Sequence, residues 1–168
     1  FPQRLGRYTP QERERFARGD WLWLHSISVG ETLLALKLAR QIHETEPSLR
    51  VALSVTTSTG FAVAREAASD WLEPIYNPLD LPAIVRTTLD VVRPRRLVFV
   101  EAIWPNLLVE AKRRGLPVAF VPRLSPRSER RFRRFRAFTG PLFRLIDVLA
   151  VQEPEDIARW RSLMSALR

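Results

Sequence analysis

Cysteine is absent from this sequence, and histidine is limited to His25 and His43. Without cysteine the chain forms no disulfide and offers no thiolate ligand, and two histidines are too few for a multi-histidine metal centre. No run of 18 apolar residues occurs, and the first residues do not resemble a secretory signal peptide. We therefore expect no disulfide-stabilised scaffold, no cysteine or histidine metal site and no membrane-spanning helix in this sequence.

Apolar and basic residues, by contrast, are plentiful. Of the 168 residues, 46% are hydrophobic and 27% are charged. This is enough apolar material for one domain with a full core and too little for two large domains. Lysine and arginine number 27 against 18 acidic residues, which gives a net charge of +9. Such a surplus indicates an anionic partner: nucleic acid, an acidic membrane surface or a phosphorylated small molecule.

Much of the positive charge lies in one segment. Between Arg123 and Arg136 there are seven arginines and a single acid, Glu129. Phenylalanines at positions 132, 135 and 138 recur every third residue, so a helix here has one apolar stripe on a basic surface. Such a helix docks at a lipid headgroup layer, binds phosphates or binds nucleic acid. The alternative is a stripe that faces the core beneath a solvated arginine surface.

Prolines mark the expected helix starts. Thr9-Pro10-Gln11-Glu12 predicts a capping box with proline at the first helical position, and the prolines at 82, 105, 126 and 154 predict four more starts. Short runs of β-branched and aromatic residues predict strands at Trp21–Ser26, Arg50–Thr56, Glu73–Tyr76, Arg96–Val100, Pro117–Val121 and Asp147–Val151. The helices predicted between and after them are Glu31–Thr45, Phe61–Ala68, Leu81–Val91, Pro105–Arg114, Pro126–Phe138 and Pro154–Ala166.

Alternation of strands and helices along the whole chain predicts the α/β class. We expect one domain over residues 1–168, with a Rossmann-like open parallel sheet and helices on both faces. The strands lack polar alternation, as expected when both faces are covered. In such a sheet ligands bind beyond the carboxyl ends of the strands, so the residues that follow each strand are the candidates for chemistry.

The segment after the first strand, Ser26–Glu31, has no G-x-G-x-x-G fingerprint and signals no dinucleotide site. Gly30 permits close backbone approach, and Glu31 opens a helix where it is placed to act as a general base toward a bound hydroxyl. Alternatively, Ser28-x-x-Glu31 is a capping box in which Glu31 bonds the Ser28 amide. On the residues alone the cap is favoured, because caps are far commoner than catalytic acids.

Two further strand ends carry polar residues. Thr56–Gly60 supplies four hydroxyls and a glycine at a helix start, which either cradle an anion or sugar or cap the helix. Glu101–Asn106 supplies an acid, an aromatic ring and an amide, and Trp104 either faces a ligand or packs the helix entry. Glu101 follows an apolar strand and needs a partner or a solvent-filled cleft. His25 is predicted to be a hydrogen-bonded structural residue.

Several of these segments occur in the same order in a known family. Trp23–Glu31 resembles the W-x-H-x-V-S-V-G-E segment of the 3-deoxy-D-manno-octulosonic acid (Kdo) transferases, and Ser54–Gly60 resembles their V-T-T-x-T-x-T-G stretch. Further counterparts are Pro78–Pro82, Val92–Pro94, Trp104–Asn106, Arg123–Ser128 and Gln152 with Glu155 and Asp156. The resemblance covers the chain from about Arg4 to Leu163.

The resemblance implies a GT-B glycosyltransferase, of which this chain is the N-terminal, acceptor-side half. The family transfers Kdo from CMP-Kdo to a lipid A precursor in lipopolysaccharide biosynthesis. It does so without a metal or other cofactor, at the cytoplasmic face of the inner membrane of Gram-negative bacteria. We therefore expect an anionic membrane surface and no nucleic acid as partners. We also expect a nucleotide-sugar half beyond Arg168 that binds most of CMP-Kdo, and an anchoring segment before Phe1.

The resemblance also implies roles for single residues. In the family, the glutamate of S-V-G-E is the proposed base that deprotonates the acceptor hydroxyl; that position is Glu31, which reverses the preference for a cap. Glu101 is the second predicted catalytic residue. The predicted acceptor-binding residues are Ser28, Gly30, Thr56, Thr57, Gly60, Trp104, Asn106, Arg123 and Ser125. The predicted contacts to membrane or phosphate are Arg130, Arg131, Arg133 and Arg134.

The sequence departs from the family at two strand ends. The family carries E-x-E-x-W-P-N, and here the stretch reads Glu101-Ala102-Ile103-Trp104-Pro105-Asn106. Either Ala102 replaces the second acid, or one residue is deleted and Glu101 is the surviving first acid. In addition, Val121–Ser125 is one residue shorter than the family's V-N-A-R-L-S. The lost acid supports an alternative function, that of a degenerate, non-catalytic domain that binds lipid or a protein partner.

Overall fold

A parallel six-stranded sheet forms the centre of the domain. The computed structural model describes residues 2–167, with the backbone alone for residue 167; the predicted domain limits Phe1 and Arg168 lie outside the described residues. The strands follow the order β3-β2-β1-β4-β5-β6. Their bounds are β1 Trp21–His25, β2 Arg50–Val55, β3 Leu72–Tyr76, β4 Pro94–Val100, β5 Val118–Val121 and β6 Val148–Leu149.

Helices cover both faces of this sheet. Their bounds are α1 Pro10–Ala17, α2 Val29–Thr45, α3 Ser58–Glu66, α4 Pro82–Val92, α5 Pro105–Arg113, α6 Pro126–Arg134, α7 Arg136–Phe143 and α8 Asp156–Leu167, after a 3-10 helix over Pro2–Leu5. The predicted Rossmann-like α/β class is confirmed. None of the helices within residues 2–167 is both long enough and apolar enough to cross a bilayer.

Alternation along the strands divides the core into two layers. Trp21 and Trp23 of β1 face one side, where they join Phe99 and residues of α4, α5, α7 and α8. Leu22 and Leu24 face the other side, against α2 and α3. All five residues of β1 are buried, because the strand lies between β2 and β4 and beneath helices on both faces. This explains why the apolar strands show no polar alternation.

Three sequence predictions were wrong in detail. The single helix expected over Pro126–Phe138 is two helices, because Phe135 leaves the helical conformation between α6 and α7. The expected strand Asp147–Val151 pairs only over Val148–Leu149. In addition, α8 begins at Asp156, so Pro154 lies in the preceding turn. The capping box at Thr9 and Glu12 is confirmed, with Pro10 at the first helical position.

The outer strand β3 presents few free amide groups along its open side. The Leu72 amide donates to the Ser69 carbonyl at 3.4 Å, Pro74 has no N–H, and the Tyr76 amide donates to Gln3 Oε1 at 2.7 Å. At the opposite edge β6 is only two residues long. Blocked or very short outer strands are a common protection against pairing with a second chain.

Candidate active site at the carboxyl edge of the sheet

The candidate residues meet where the central strands end. Because all the strand pairs are parallel, every strand ends at the same edge of the sheet. The strand order reverses between β1 and its neighbour β4, which is the position at which open α/β sheets bind ligands. Residues that follow the strands along this edge are Glu31 after β1, Thr56 and Thr57 after β2, Glu101 after β4 and Arg123 after β5.

Glu31 combines a capping contact with an electrostatic environment suited to a base. Ser28 is the N-cap of α2 and accepts from the Glu31 amide at 3.3 Å. The Glu31 carboxylate reaches back further than a capping box predicts, since its Oε2 accepts from the Ile27 amide at 2.6 Å. Burial raises the pKa of the Glu31 carboxyl; hydrogen bonds from Ile27 and Ser28 oppose that rise, and the charge of Glu101 adds to it. Both hypotheses for Glu31, cap and base, are therefore compatible with its position.

Glu101 lies in a strained turn. Its φ of 61° is in the left-handed region, which residues other than glycine and asparagine rarely adopt. The Ala102 amide donates to the Val100 carbonyl at 2.8 Å, so Glu101 is the central residue of a three-residue γ-turn. Its own amide continues the sheet by donating to the Val121 carbonyl at 2.9 Å. Strain of this kind is concentrated at functional sites, and here it lies within electrostatic range of Glu31.

A buried polar network lies beneath the starts of α2 and α3. Asn77, directly after β3, donates through Nδ2 to the Ser26 carbonyl at 2.7 Å and to Thr56 Oγ1 at 2.6 Å. Ser26 Oγ lies 3.1 Å from Thr32 Oγ1 in α2. This network joins the ends of β1, β2 and β3 and fixes the first turn of α2. Asn77 was not among the residues predicted from sequence, because a buried asparagine after a strand carries no motif of its own.

His25 is a structural residue, as the sequence predicted. Its side chain is fully buried, and Nδ1 lies 3.1 Å from Ser54 Oγ, which also accepts from Trp23 Nε1 at 2.8 Å. Burial lowers the pKa of His25 to about 3, an effect that the Asn77 amide partly opposes. The ring therefore stays neutral at physiological pH. It packs edge-on against Trp104, with ring centroids 4.9 Å apart, and so supports the Trp104 indole.

Several of the predicted acceptor-binding residues lie at helix starts, and their side chains already make hydrogen bonds within the domain. Thr57 caps α3 by accepting from the Gly60 amide at 3.1 Å, and Ser125 caps α6 in a capping box with Ser128. Thr56 is engaged by Asn77. Arg123 is exposed at the sheet edge. These positions lie at the edge where the site is predicted, and their contact with an acceptor remains a prediction.

The two glycines of the predicted site differ in their surroundings. A Cβ at Gly60 would lie 2.8 Å from both Val55 Cγ1 and Thr57 Oγ1, whereas a Cβ at Gly30 would meet open space. Gly60 therefore lets α3 pack closely on the sheet. Gly30 leaves the outer side of the first turn of α2 bare toward solvent.

We expect Gly60→Ala to lower the free energy of unfolding by about 1–3 kcal/mol, because overpacking displaces neighbouring atoms. Gly30→Ala, at the start of α2, is the matched control. It should leave stability unchanged or raise it by up to about 1 kcal/mol, since alanine is the better helix former. Urea unfolding of the two variants measures both values. Equal stability of the variants would contradict the packing role of Gly60.

Asp80 lies directly before the helix predicted from Leu81, within a segment that resembles the family, and it has a role that the sequence did not predict. It does not cap α4, whose N-cap residue Leu81 makes no side-chain bond. Instead its carboxylate accepts from the Asn106 amide at 3.1 Å and from the Leu107 amide at 2.9 Å, in the first turn of α5. Asn106 Nδ2 donates in return to the Asp80 carbonyl at 2.6 Å. The amide of Asn106, a predicted acceptor-binding group, is thus bound to Asp80.

The arginine segment is a surface feature. None of the residues of α6 is buried. Glu129 holds Arg133 at 3.2 Å and Arg159 of α8 at 2.9 Å, and these bonds lower the pKa of its carboxyl. The phenylalanine stripe is divided. Phe132 packs against Phe143 with ring centroids 5.2 Å apart, while Phe135 and Phe138 are 54% and 75% exposed.

Among residues 2–167, no group of three or more histidines or carboxylates is arranged to hold a metal ion. The site that the structure describes consists of two acids, several hydroxyls and the half-buried indole of Trp104 at the mouth of the sheet. The expectation that no cofactor takes part remains a prediction.

Comparison with known proteins identifies the family. The family model for 3-deoxy-D-manno-octulosonic-acid transferase matches residues 1–167. The chain belongs to the Kdo transferase family. A Kdo transferase of Haemophilus influenzae is 29% identical in an alignment of 144 positions that covers 84% of this chain and 34% of the relative. One of Chlamydophila psittaci is 30% identical in an alignment of 169 positions that covers 94% of this chain and 39% of the relative.

The chain therefore spans between a third and two fifths of the length of these Kdo transferases. Among solved structures, MurG of Acinetobacter baumannii, a GT-B glycosyltransferase, matches with a TM-score of 0.58 at 11% identity. The match covers 81% of this chain and 42% of the MurG chain. At this identity the likeness shows the fold alone. It supports the predicted GT-B fold for this member of the Kdo transferase family.

Proposed function

We propose that this chain is the acceptor-side domain of a Kdo transferase that moves Kdo from CMP-Kdo to a lipid A precursor. The observation that carries the proposal is the position of Glu31. In a chain of this family, its carboxylate lies at the switch point of the sheet with a raised pKa and a second acid in electrostatic range. Transfer proceeds without a metal or other cofactor, and the remainder of a family-length protein binds most of CMP-Kdo.

In this reaction the acceptor hydroxyl oxygen forms a bond to the anomeric carbon of Kdo as CMP leaves, and the hydroxyl proton passes to Glu31. The Glu31 carboxylate is fixed by the Ile27 amide, so that it is positioned before the acceptor binds. Glu101 supplies a second negative charge, which makes Glu31 a stronger base and favours the positive charge that develops on the Kdo ring. Trp104 and the exposed first turns of α2 and α3 form the surface on which the acceptor sugar rests.

The proposed partner surface is the anionic cytoplasmic face of the bacterial inner membrane. A lipid A precursor carries phosphates on a lipid, and α6 presents exposed arginines beside two exposed phenylalanines. Arginine suits phosphate recognition, and exposed aromatic rings suit the headgroup layer. Arg127, Arg130, Arg131 and Arg134 are exposed, while Arg133 is bound to Glu129. The binding of nucleic acid is not part of the proposal.

The test is a transfer assay on a family-length protein that carries this sequence, with CMP-Kdo and a lipid A precursor as substrates. We expect a Kdo-containing glycolipid and free CMP in equal amounts. Lipid binding without either product would instead support the non-catalytic alternative, which the alanine at position 102 favours. An inactive wild-type protein that binds RNA in a salt-sensitive manner and in preference to anionic lipid would contradict both.

A further inference from the structure

The first turn of α5 takes its cap from another part of the chain. Its N-cap residue, Trp104, has no side chain able to accept the free amide groups of the turn, and it makes no side-chain capping bond. The Asp80 carboxylate takes its place, with Oδ2 on the Asn106 amide and Oδ1 on the Leu107 amide. A tryptophan is thus accommodated at a position where small polar residues are preferred.

Asp80 is itself held in place. The Leu81 amide donates to the Leu79 carbonyl at 2.7 Å, which makes Asp80 the central residue of a tight turn. The Leu79 amide donates to the Arg4 carbonyl at 2.8 Å, which anchors that turn to the N-terminal segment. The return bond from Asn106 Nδ2 to the Asp80 carbonyl closes the contact from both sides. The result is a rigid clamp between the loop before α4 and the start of α5.

This clamp fixes the far end of the segment that presents Glu101. At its near end, Glu101 is joined to β5 by the bond from its amide to the Val121 carbonyl. Only three residues separate Glu101 from Pro105, where α5 begins. A residue with φ of 61° returns to ordinary conformations unless its surroundings prevent it. A segment this short, fixed at both ends, supplies that restraint.

We propose that Asp80 is a positioning residue: by clamping the first turn of α5, it holds the Glu101 turn in the strained conformation in which the Glu101 carboxylate acts on Glu31. The importance of this arrangement for catalysis rests on the proposed function. The arrangement itself is a property of the domain, and its test needs no transfer activity. The alternative is that Asp80 merely caps α5, in which case its loss lowers stability and leaves the electrostatics of Glu31 unchanged.

The two roles are distinguished by the titration of Glu31. The hydrogen bonds that its carboxylate accepts, from Ile27 and Ser28, come from uncharged groups, and Glu101 is the charged group that acts on it. Carboxyl carbon NMR on the chain labelled at glutamate Cδ follows this titration. The Glu31 signal is identified as the one that disappears from the spectrum of Glu31→Gln. We expect Glu101→Gln to lower the pKa of Glu31, and Asp80→Ala to lower it by at least half as much.

The double variant Asp80→Ala/Glu101→Gln separates action through Glu101 from a direct effect of the lost Asp80 charge. If Asp80 acts through Glu101, the double variant titrates like Glu101→Gln alone; if the charge acts directly, the two shifts add, which would overturn the proposal. A folded Asp80→Ala domain with an unchanged Glu31 titration would overturn it as well. So would a Glu31 pKa that does not respond to Glu101→Gln.

A matched control and a milder variant complete the experiment. Asp90, at the other end of α4, is paired with Arg114 at 2.8 Å on the exposed surface, and Asp90→Ala should leave Glu31 unaffected. If Asp80→Ala does not fold, Asp80→Asn replaces it, because the Asn amide oxygen still accepts one of the two α5 amides. Asp80→Asn should then shift Glu31 in the same direction by less than Glu101→Gln does. A Glu31 pKa that Asp80→Asn leaves unchanged would reject the positioning role.

Discussion

Replacement of Glu31 by glutamine is expected to lower the rate of Kdo transfer at least about a hundredfold, because a positioned general base contributes about 10²–10⁴-fold to rate. Glutamine has nearly the same shape and still accepts from the Ile27 amide, but it cannot take a proton. The measurement is the rate of Kdo transfer to a lipid A precursor by a family-length protein, with the unfolding free energy of the same variant determined in parallel.

Stability should not follow activity in this variant. A carboxyl whose pKa is higher in the folded than in the unfolded state binds its proton more tightly when folded, so it destabilises the fold as pH rises between the two pKa values. Glutamine removes that cost. We therefore expect the free energy of unfolding of Glu31→Gln at neutral pH to equal that of the wild type or to be slightly higher. A cap alone is worth about 0.5–2 kcal/mol and would affect stability rather than rate.

The pH dependence of the wild-type transfer rate should report the ionisation of the Glu31 carboxyl. Glu31 acts as a base only when ionised, so transfer should fall as pH drops through its pKa, and at a higher pH than for an unshifted glutamate. Glu44→Gln, on the exposed surface of the same helix, is the matched control and should retain full activity. Near-normal turnover by Glu31→Gln would leave Glu31 as a cap only and remove the main support for the proposed function.

Loss of the arginine surface is expected to have the second largest effect. Changing Arg130, Arg131, Arg133 and Arg134 to serine should weaken binding to vesicles rich in anionic phospholipid by roughly two to three orders of magnitude at low salt. Each basic residue near an anionic bilayer contributes about 1 kcal/mol, and each 1.4 kcal/mol is a factor of ten in the binding constant. Arg133 should contribute least of the four, because Glu129 already binds it.

A second variant with the same change in net charge is the control. Arg18, Arg95, Arg96 and Arg114 lie near the amino ends of the strands, away from the candidate site, and each is paired with an acid on the surface. Serine at these four positions should reduce vesicle binding far less. Equal losses in the two variants would mean that net charge, rather than α6, drives binding. Unchanged binding after the α6 substitutions would reject the membrane contact.

Much of the fold could be predicted because its signals are local. Proline at the first helical position and runs of β-branched residues determine where elements begin, and their alternation leaves few topologies. The break at Phe135 was missed because the phenylalanine stripe continues across it and no glycine or proline marks it in the sequence. The length of β6 was overestimated because pairing depends on a neighbour, not on the apolar run alone.

The candidate site was predictable to the extent that it follows strand ends. Glu31, Thr56 and Glu101 come directly after strands or open helices, so topology brings them to one edge. Asp80 and Asn77 were missed because their partners lie 26 or more and 21 or more residues away in the chain, and no local pattern reports such contacts. The turn at Glu101 was missed because glutamate is not a residue that signals positive φ.

The blocked outer strand β3 limits how other molecules can engage this domain. An extended peptide or an unfolding neighbour recruits a sheet by adding a strand to a free backbone edge. Here, Pro74 and the bonded amides of Leu72 and Tyr76 leave such a strand no free amide within β3 to pair with on that side. A partner that contacts the domain on that side therefore depends on side chains rather than on backbone pairing. The same blockage should keep concentrated preparations of the domain from polymerising through this edge.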